Sequence, residues 1–235
     1  GQRSYYQSDL TYYFEPFSRF IADGYSRGQL PLWNPYLYCG MAQAAVPSPG
    51  LFYPPMLLFV VLEFSQALAA FMALHQLIAG CGAYLLVVSL GWGALAAAVC
   101  GFAVGMSGYM FSLTANYTLV ATAAWFPLLL FFLRSIDPAF TRTNVFRIFG
   151  GSVCMFGMIA AGRPEIFVPA SLLAGGYIAV TAFGAYREDR MPRQALTQAG
   201  LRILSLTSGC LFALPVILPA AEWLRLSPRS NGLEL

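Results

Sequence analysis

Long apolar runs joined by short polar connections occupy the chain from about residue 66 onward. A helix needs about 20 apolar residues to cross the hydrocarbon core of a bilayer, and six runs come close to that length. Prolines at 127, 215 and 219 predict kinks in the third and sixth runs, which neighbouring helices can compensate. The predicted spans are 66–90, 94–113, 118–134, 145–161, 166–185 and 201–221.

The first 55 residues have a different pattern, polar, aromatic and rich in turns, with eight of the thirteen tyrosines at or before Tyr53. Within SDLTYYFEPFSRFIADG the large apolar residues recur every three or four positions, which predicts an amphipathic helix. A helix with large aromatics and few charges suits the membrane–water boundary. These apolar residues are Leu10, Tyr13, Phe14, Phe17, Phe20 and Ile21.

The predicted ends of this helix follow from its capping residues. Ser8 and Asp9 are candidate N-caps, and Gly24 is the candidate C-terminal stop. Pro16 indicates a kink, or a helix that begins near Glu15.

The rest of this region is irregular, because GQLPLWNPYLYCG and PSPGLFYPP are broken by prolines. The apolar stretch 51–62 is too short to cross a membrane and predicts a short or re-entrant helix that ends at Glu63. We therefore predict an all-α polytopic transmembrane helix bundle. Residues 1–55 form an external loop with an interfacial helix, and residues 56–235 form the transmembrane region.

Composition agrees with a lipid environment, since 58% of residues are hydrophobic and only 10% are charged, against about 25% in soluble domains. All thirteen basic residues are arginines, and they are scattered, so nothing favours nucleic-acid binding. The five cysteines have no paired or metal-ligand spacing. Because the chain begins at Gly1 and ends in a polar stretch, we expect a fragment of a longer membrane protein that lacks at least an N-terminal anchor.

Two connections carry most of the positive charge, 134–147 and 187–202. With six spans both lie on one side, which the positive-inside rule assigns to the cytoplasm. The loop then lies outside, together with five of the ten acids. The acids on that face are Asp9, Glu15, Asp23, Glu165 and Glu222.

Asp9 is the first candidate for chemistry, as a general base or as a ligand for a divalent cation on a phosphate. The alternative is a helix cap. In AGRPEIF, Arg163 is a candidate for a lipid phosphate, with Glu165 in the same polar pocket. The alternative there is a local ion pair with an acid favourably placed at a helix N-terminus.

The other candidates are weaker. His75, the only histidine, lies inside a span, where an ionisable group is a functional candidate or a hydrogen-bonded core residue. Gly101 and Gly105 have the spacing of close helix packing. The other candidate ligands are Glu15, Arg225 and Arg229 for the substrate, and Trp33 and Tyr36, which either stack on sugars or belong to an aromatic belt.

The order SDLTYYFEPF, GQLPLWNPYLYCGMAQAA and FYPP resembles the opening region of the bacterial YfhO-like membrane protein family. The likeness continues through LHQLIAGCGAYLL, AGRPEIF and LPAAEWLRLSPRS. That family is similar in architecture to the GT-C glycosyltransferases, which take sugars from polyprenyl-phosphate carriers. In those enzymes the first external loop carries an essential acid, and the matching position here is Asp9. Where the family often has histidine in a GHPQ-like segment, this chain has Arg163.

The resemblance implies an inverting sugar transfer to a cell-envelope acceptor at the outer face of the cytoplasmic (inner) membrane. Asp9 would deprotonate the acceptor hydroxyl or orient a divalent cation, and Arg163, Arg225 or Arg229 would hold the departing lipid phosphate. Membrane lipids and a polyprenyl-phosphate-linked sugar are the implied partners. Two alternatives remain, a transporter or lipid flippase in which His75 takes part, and a non-catalytic envelope scaffold.

Overall fold

A computed structural model describes residues 9–37, 39–139, 141–188 and 192–226, and these residues are mostly helical. A π-helical turn, Leu10–Phe14, precedes the first helix, and 3-10 turns occur at Gln43–Ala45, Pro54–Leu57 and Thr114–Asn116. The α-helices are α1 (Glu15–Ser26), α2 (Leu58–Val61), α3 (Phe64–Ser89), α4 (Ala94–Gly105), α5 (Gly108–Ser112), α6 (Tyr117–Ser135), α7 (Arg142–Ala160), α8 (Pro164–Glu188), α9 (Pro192–Phe212) and α10 (Leu214–Leu226).

Within the described ranges, five helical stretches are long and apolar enough to cross a membrane, as expected of a multi-pass membrane protein. They match the first five predicted spans, although the second is interrupted at residues 106–107, between α4 and α5. The sixth predicted span is a helix pair, α9 and α10, bent by 68°. The bend precedes Pro215, which lies in the first turn of α10, where its missing N–H needs no partner. The predicted kinks at Pro127 and Pro219 do not interrupt α6 or α10.

Glycines allow the central helices to approach closely. Helix α3 packs between α4 and α6. A Cβ on Gly101 would lie 2.7 Å from the carbonyl oxygen of Gly80, and one on Gly105 would lie 2.9 Å from that of Gln76. Gly82 is equally close to the backbone of Leu128 on α6. The close packing predicted from the spacing of Gly101 and Gly105 is confirmed.

The two ends of the bundle differ in what they hold. At one end, called here the loop end, residues 9–62 pack on the starts of α3 and α6 and on the connection between α7 and α8; a Cβ on Gly162 would overlap the carbonyl of Pro47. At the opposite end, Arg134 donates to the carbonyl of Ser89 at 3.0 Å. Gln198 donates there to the carbonyl of Ile136 at 2.7 Å. The two arginine-rich connections therefore lie at the same end of the bundle, away from the loop.

The short apolar stretch before α3 forms the 3-10 turn Pro54–Leu57 followed by α2, which is the short helix that the sequence predicts. It ends before Glu63, which precedes the first residue of α3. Phe59 on α2 stacks on Tyr117, with ring centroids 5.7 Å apart. The short helix thus packs into the core at the loop end.

Helix α1 confirms the amphipathic pattern and the start near Glu15 that Pro16 indicated, but not the predicted C-terminal end. It begins at Glu15 and ends at Ser26, because Gly28 has φ of +70° and stops it. The N–H of Gly28 bonds to the carbonyl of Tyr25, and that of Gln29 to the carbonyl of Gly24, which is a Schellman motif. The prediction that Gly24 ends the helix is wrong.

The apolar face of α1 is covered by protein. Phe14, Phe17 and Ile21 are buried, and the Phe14 ring packs against Tyr117 of α6 at 5.2 Å. The Ser18 hydroxyl, also buried, bonds the Tyr117 hydroxyl at 2.6 Å. The face that suited a membrane boundary is therefore used to attach α1 to the bundle.

Candidate functional site at the loop end

Asp9 lies on the surface, in helical backbone conformation at the start of the π-helical turn. It occupies the N-cap position of that turn, but its side chain makes no capping hydrogen bond. The next two residues, Leu10 and Thr11, line a cavity that Asp9 itself does not line. Asp9 thus lies next to the wall of this cavity, with an exposed carboxylate.

That cavity is an open groove of about 800 Å³ at the loop end. One wall is the π-helical turn with α1, and the other is α3 from its first residue down to Gln76. From Phe64 to Gln76 the wall is about 18 Å long, at 1.5 Å per residue. Phe111 of α5 and Thr114 close the remaining side. The groove is long enough for part of a lipid chain.

The charged residues of the groove lie on α1 and just before α3, and the apolar residues of the α3 wall lie further along that helix, up to Gln76 at the end of the wall. Glu15, Arg19 and Glu63 line the groove next to Phe64, and the Arg19 guanidinium lies 5.9 Å from the centre of the Phe64 ring. The apolar lining deeper along α3 includes Leu68, Ala69, Met72 and Ala73. The groove is therefore amphipathic along its length, as a site for an amphiphilic ligand would be.

Arg19 is the cation of the groove, and its partner is easily exchanged. It pairs with Glu15 at 2.8 Å, one helical turn away, and both side chains reach water, Arg19 being 59% exposed. An exposed ion pair of this kind is worth less than about 1 kcal/mol. An incoming anion could replace Glu15 as the partner of Arg19 at little cost.

Arg163 has a different environment. Its side chain is only 18% exposed, and it donates to Thr118 at 2.7 Å, to the amide oxygen of Asn116, and to Glu165 at 3.3 Å. The guanidinium also lies 5.3 Å from the centre of the Phe14 ring. The alternative interpretation, a local ion pair between Arg163 and Glu165, is confirmed, and Arg163 joins α6, the start of α8 and the π-helical turn behind the groove.

The loop is fixed to the bundle beside Arg163. Thr118 bonds the Ser48 hydroxyl at 3.0 Å, and the Tyr13 hydroxyl donates to the carbonyl of Ser48 at 2.7 Å. These bonds connect the π-helical turn, the loop and α6. They hold the wall that carries Leu10 and Thr11 against the helices.

His75 is completely buried and hydrogen-bonded at both ring nitrogens. Nδ1 lies 2.6 Å from the carbonyl of Phe71, so it carries the proton, and Nε2 accepts from the Tyr53 hydroxyl. Trp125 donates to that same hydroxyl at 2.8 Å. Burial raises the pKa of Tyr53 well above its ordinary value, so its hydroxyl stays protonated and remains a donor. The structure thus favours the interpretation of His75 as a satisfied core residue.

The remaining predicted ligands lie away from the groove or outside the described residues. Trp33 and Tyr36 are exposed and do not line the groove, and Arg225 lies on the surface of α10. Arg229 lies outside the described residues. Of the predicted site residues, the structure places Glu15 in the groove.

Sequence reasoning missed Arg19 and Glu63 as groove residues. The spacing of four between Glu15 and Arg19 was visible and predicts an ion pair on one helix face. Glu63 was visible as the charged residue before the first long span. Neither pattern indicates a groove, because the groove forms only when α1 packs beside α3. Within the described ranges, no three histidine, cysteine or acidic side chains gather as a metal site.

In comparisons with protein-family models, curated proteins and solved structures, nothing matches this chain. The site is therefore defined by its geometry.

Proposed function

We propose that the chain is part of a membrane glycosyltransferase of the GT-C type. It transfers a sugar from a polyprenyl-phosphate carrier to a cell-envelope acceptor. The observation that supports this proposal best is the amphipathic groove, with Arg19 at its charged end and an apolar wall along α3. A carrier of this class has the matching order of groups, an anionic phosphate followed by a long isoprenoid chain.

In this proposal, Arg19 holds the phosphate and replaces the roles first considered for Arg163, Arg225 and Arg229. A guanidinium matches two phosphate oxygens at once, which outweighs the exposed ion pair to Glu15. Arg163 is less suitable because its donors already have partners. Leu68 and Met72 contact the isoprenoid chain.

The transfer needs a carboxylate to take the proton of the acceptor hydroxyl. The acceptor oxygen attacks C1 of the sugar, the bond from C1 to the phosphate oxygen breaks, and the phosphate leaves with the electron pair. Asp9 and Glu15 are the candidate bases. Asp9 is preferred by the resemblance, and Glu15 by its place in the groove. Released from Arg19 by the incoming phosphate, Glu15 becomes free to accept a proton.

The test is sugar transfer by the full-length protein in membranes, with labelled sugar on polyprenyl phosphate as the donor. Asp9→Asn and Glu15→Gln are assayed separately, and the variant that lacks the base should lose at least about 100-fold in rate. Arg19→Gln should weaken use of the donor about ten- to a hundredfold, since it removes a charged hydrogen-bonding partner of the phosphate.

Arg27→Gln is the matched control, because Arg27 forms the same kind of ion pair with Asp23 at 2.8 Å on α1 but does not line the groove. It should leave transfer unchanged. Full activity in Asp9→Asn, Glu15→Gln and Arg19→Gln, at normal protein levels, would refute the proposal. Donor binding that depends on Arg19, without any transfer, would instead favour a flippase that uses the same groove.

A further inference from the structure

The hairpin between α1 and the second strand exposes an unusual set of apolar side chains. Its described residues are 29–37 and 39–42, with the strands β1 (Trp33–Asn34) and β2 (Met41–Ala42) paired antiparallel, and it is called here the loop hairpin. Tyr36 is 83% exposed and Trp33 is 59% exposed. Leu30 and Leu32 are exposed beside them.

Hydrogen bonds and packing contacts within the hairpin hold these side chains in their exposed positions. Asn34 is buried, donates to the Gln43 side chain at 3.3 Å and accepts from the backbone N–H of Tyr36 at 3.0 Å. The indole of Trp33 packs over Gly40, where a Cβ would lie 2.5 Å from the ring. The polar side chain of Asn34 thus points inward, while the large apolar side chains of Trp33 and Tyr36 on either side point outward, the reverse of the usual order in water.

The loop hairpin is also braced against α1. A Cβ on Gly24 would lie 2.8 Å from the Pro31 ring, and the Phe20 and Tyr36 rings meet edge to face at 6.1 Å. Helix α1 carries Glu15 and Arg19 into the groove on the same rigid segment. Whatever holds the hairpin therefore also sets the position of the charged end of the groove.

The chemistry of the hairpin indicates its partner. No charged residue occurs between Arg27 and Glu63, so the hairpin itself carries no charge. The charges beside Gly24, on Asp23 and Arg27, are paired with each other at 2.8 Å, so they offer no free charge to a soluble protein partner. Tryptophan and tyrosine, with an apolar ring and one polar atom, are the side chains enriched at the boundary between membrane and water. The hairpin is attached to helices long enough to cross a membrane.

We propose that the loop hairpin is a membrane-surface anchor. It embeds Leu30, Leu32, Trp33 and Tyr36 in the headgroup region of the bilayer and, through its brace on α1, holds Arg19 at the depth of lipid phosphates. This role does not depend on sugar transfer and would serve any ligand that reaches the groove from the membrane.

The test is the fluorescence of Trp33 in the protein reconstituted into phosphatidylcholine vesicles. Trp33→Phe isolates its contribution by difference from the wild type. Phospholipids brominated near the headgroup should quench most of that contribution, and acrylamide in the water should quench it several-fold less than free tryptophan. Quenching by acrylamide as strong as for free tryptophan, with none by brominated lipid, would overturn the proposal.

A second tryptophan probe tests whether the Trp33→Phe substitution itself disturbs the loop hairpin. Tyr36→Trp in the Trp33→Phe background places the probe at the most exposed hairpin position and should respond in the same way. If soluble sugars, rather than lipid, protect either probe from acrylamide, the hairpin is a sugar-stacking surface and the anchor is refuted.

Discussion

Two arginines at the loop end differ in how tightly their guanidinium groups are held. Each guanidinium lies over an aromatic ring, but Arg19 has one hydrogen-bonding partner, in a solvent-exposed ion pair, while Arg163 has three. A ligand at Arg19 displaces only Glu15, whereas a ligand at Arg163 would break contacts between three elements of the fold. The exchangeable partner makes Arg19 the better anion-binding residue.

Tyr53 is the residue whose hydroxyl connects the loop to two helices. In Tyr53→Phe, the buried Nε2 of His75 and the indole N–H of Trp125 both lose their partner. Each unsatisfied buried group costs about 1–3 kcal/mol. We expect the variant to unfold at a clearly lower temperature in detergent, measured by the reaction of the buried Cys154 with a thiol-reactive dye.

Tyr36→Phe is the matched control, since Tyr36 is exposed and its change should stay within about 0.5 kcal/mol. Equal unfolding temperatures for the Tyr53 and Tyr36 variants would contradict the structural role of the Tyr53 hydroxyl.

The candidate site could be predicted only in part. Glu15 is predictable as an acid among aromatic residues ahead of the spans, and the pairing of Arg163 with Glu165 is one of two interpretations that their place at a helix entrance allows. Glu63 and Arg19 belong to segments that are separated along the chain and meet only when α1 docks on α3. The environment of Arg163 was equally hidden, because Asn116 and Thr118 are more than forty residues away.

At the scale of elements, the spans were predictable because a continuous apolar run of sufficient length has few other structures in a membrane. The ends of α1 were less predictable from the sequence. A glycine ends a helix only where the backbone must adopt positive φ, and Gly28 rather than Gly24 has that conformation. Gly24 instead provides room for Pro31.

We expect alanine substitutions at the two glycines to have different effects on the position of the loop hairpin. Gly28→Ala meets no neighbour but must keep φ of +70°, so it should destabilise the protein by about 1 kcal/mol and leave the loop hairpin in place. Gly24→Ala improves helix propensity by about 1 kcal/mol but clashes with Pro31, so it should displace the hairpin. The measurement is the unfolding temperature together with Trp33 quenching by brominated lipid.

Gly108→Ala is the neutral comparison, because a Cβ there meets nothing within 4 Å. A Gly24→Ala protein that is stabilised and keeps full Trp33 quenching would show that the contact with Pro31 does not position the hairpin.

At the scale of the whole molecule, charge and architecture divide the bundle in the same way. The groove, the loop hairpin and the Arg163 cluster lie at the loop end. The opposite end has short connections with Arg134, Arg142 and Arg147, the last paired with Asp137. Because short arginine-rich connections stay in the cytoplasm, this arrangement predicts that the loop end lies on the outer side of the membrane.

Cysteine labelling in intact cells tests this orientation. With the exposed Cys39 and Cys81 replaced by serine, Ser26→Cys reports on the loop end and Ala139→Cys on the opposite end; both native residues are small and exposed. A membrane-impermeant maleimide should label Ser26→Cys in intact cells and Ala139→Cys only after permeabilisation. The reverse pattern would put the groove in the cytoplasm, where it would meet nucleotide-activated sugars directly, and would remove the reason for a lipid-linked donor. Labelling of both from outside would mean that the five long helices do not carry the chain across the membrane as the charge pattern requires.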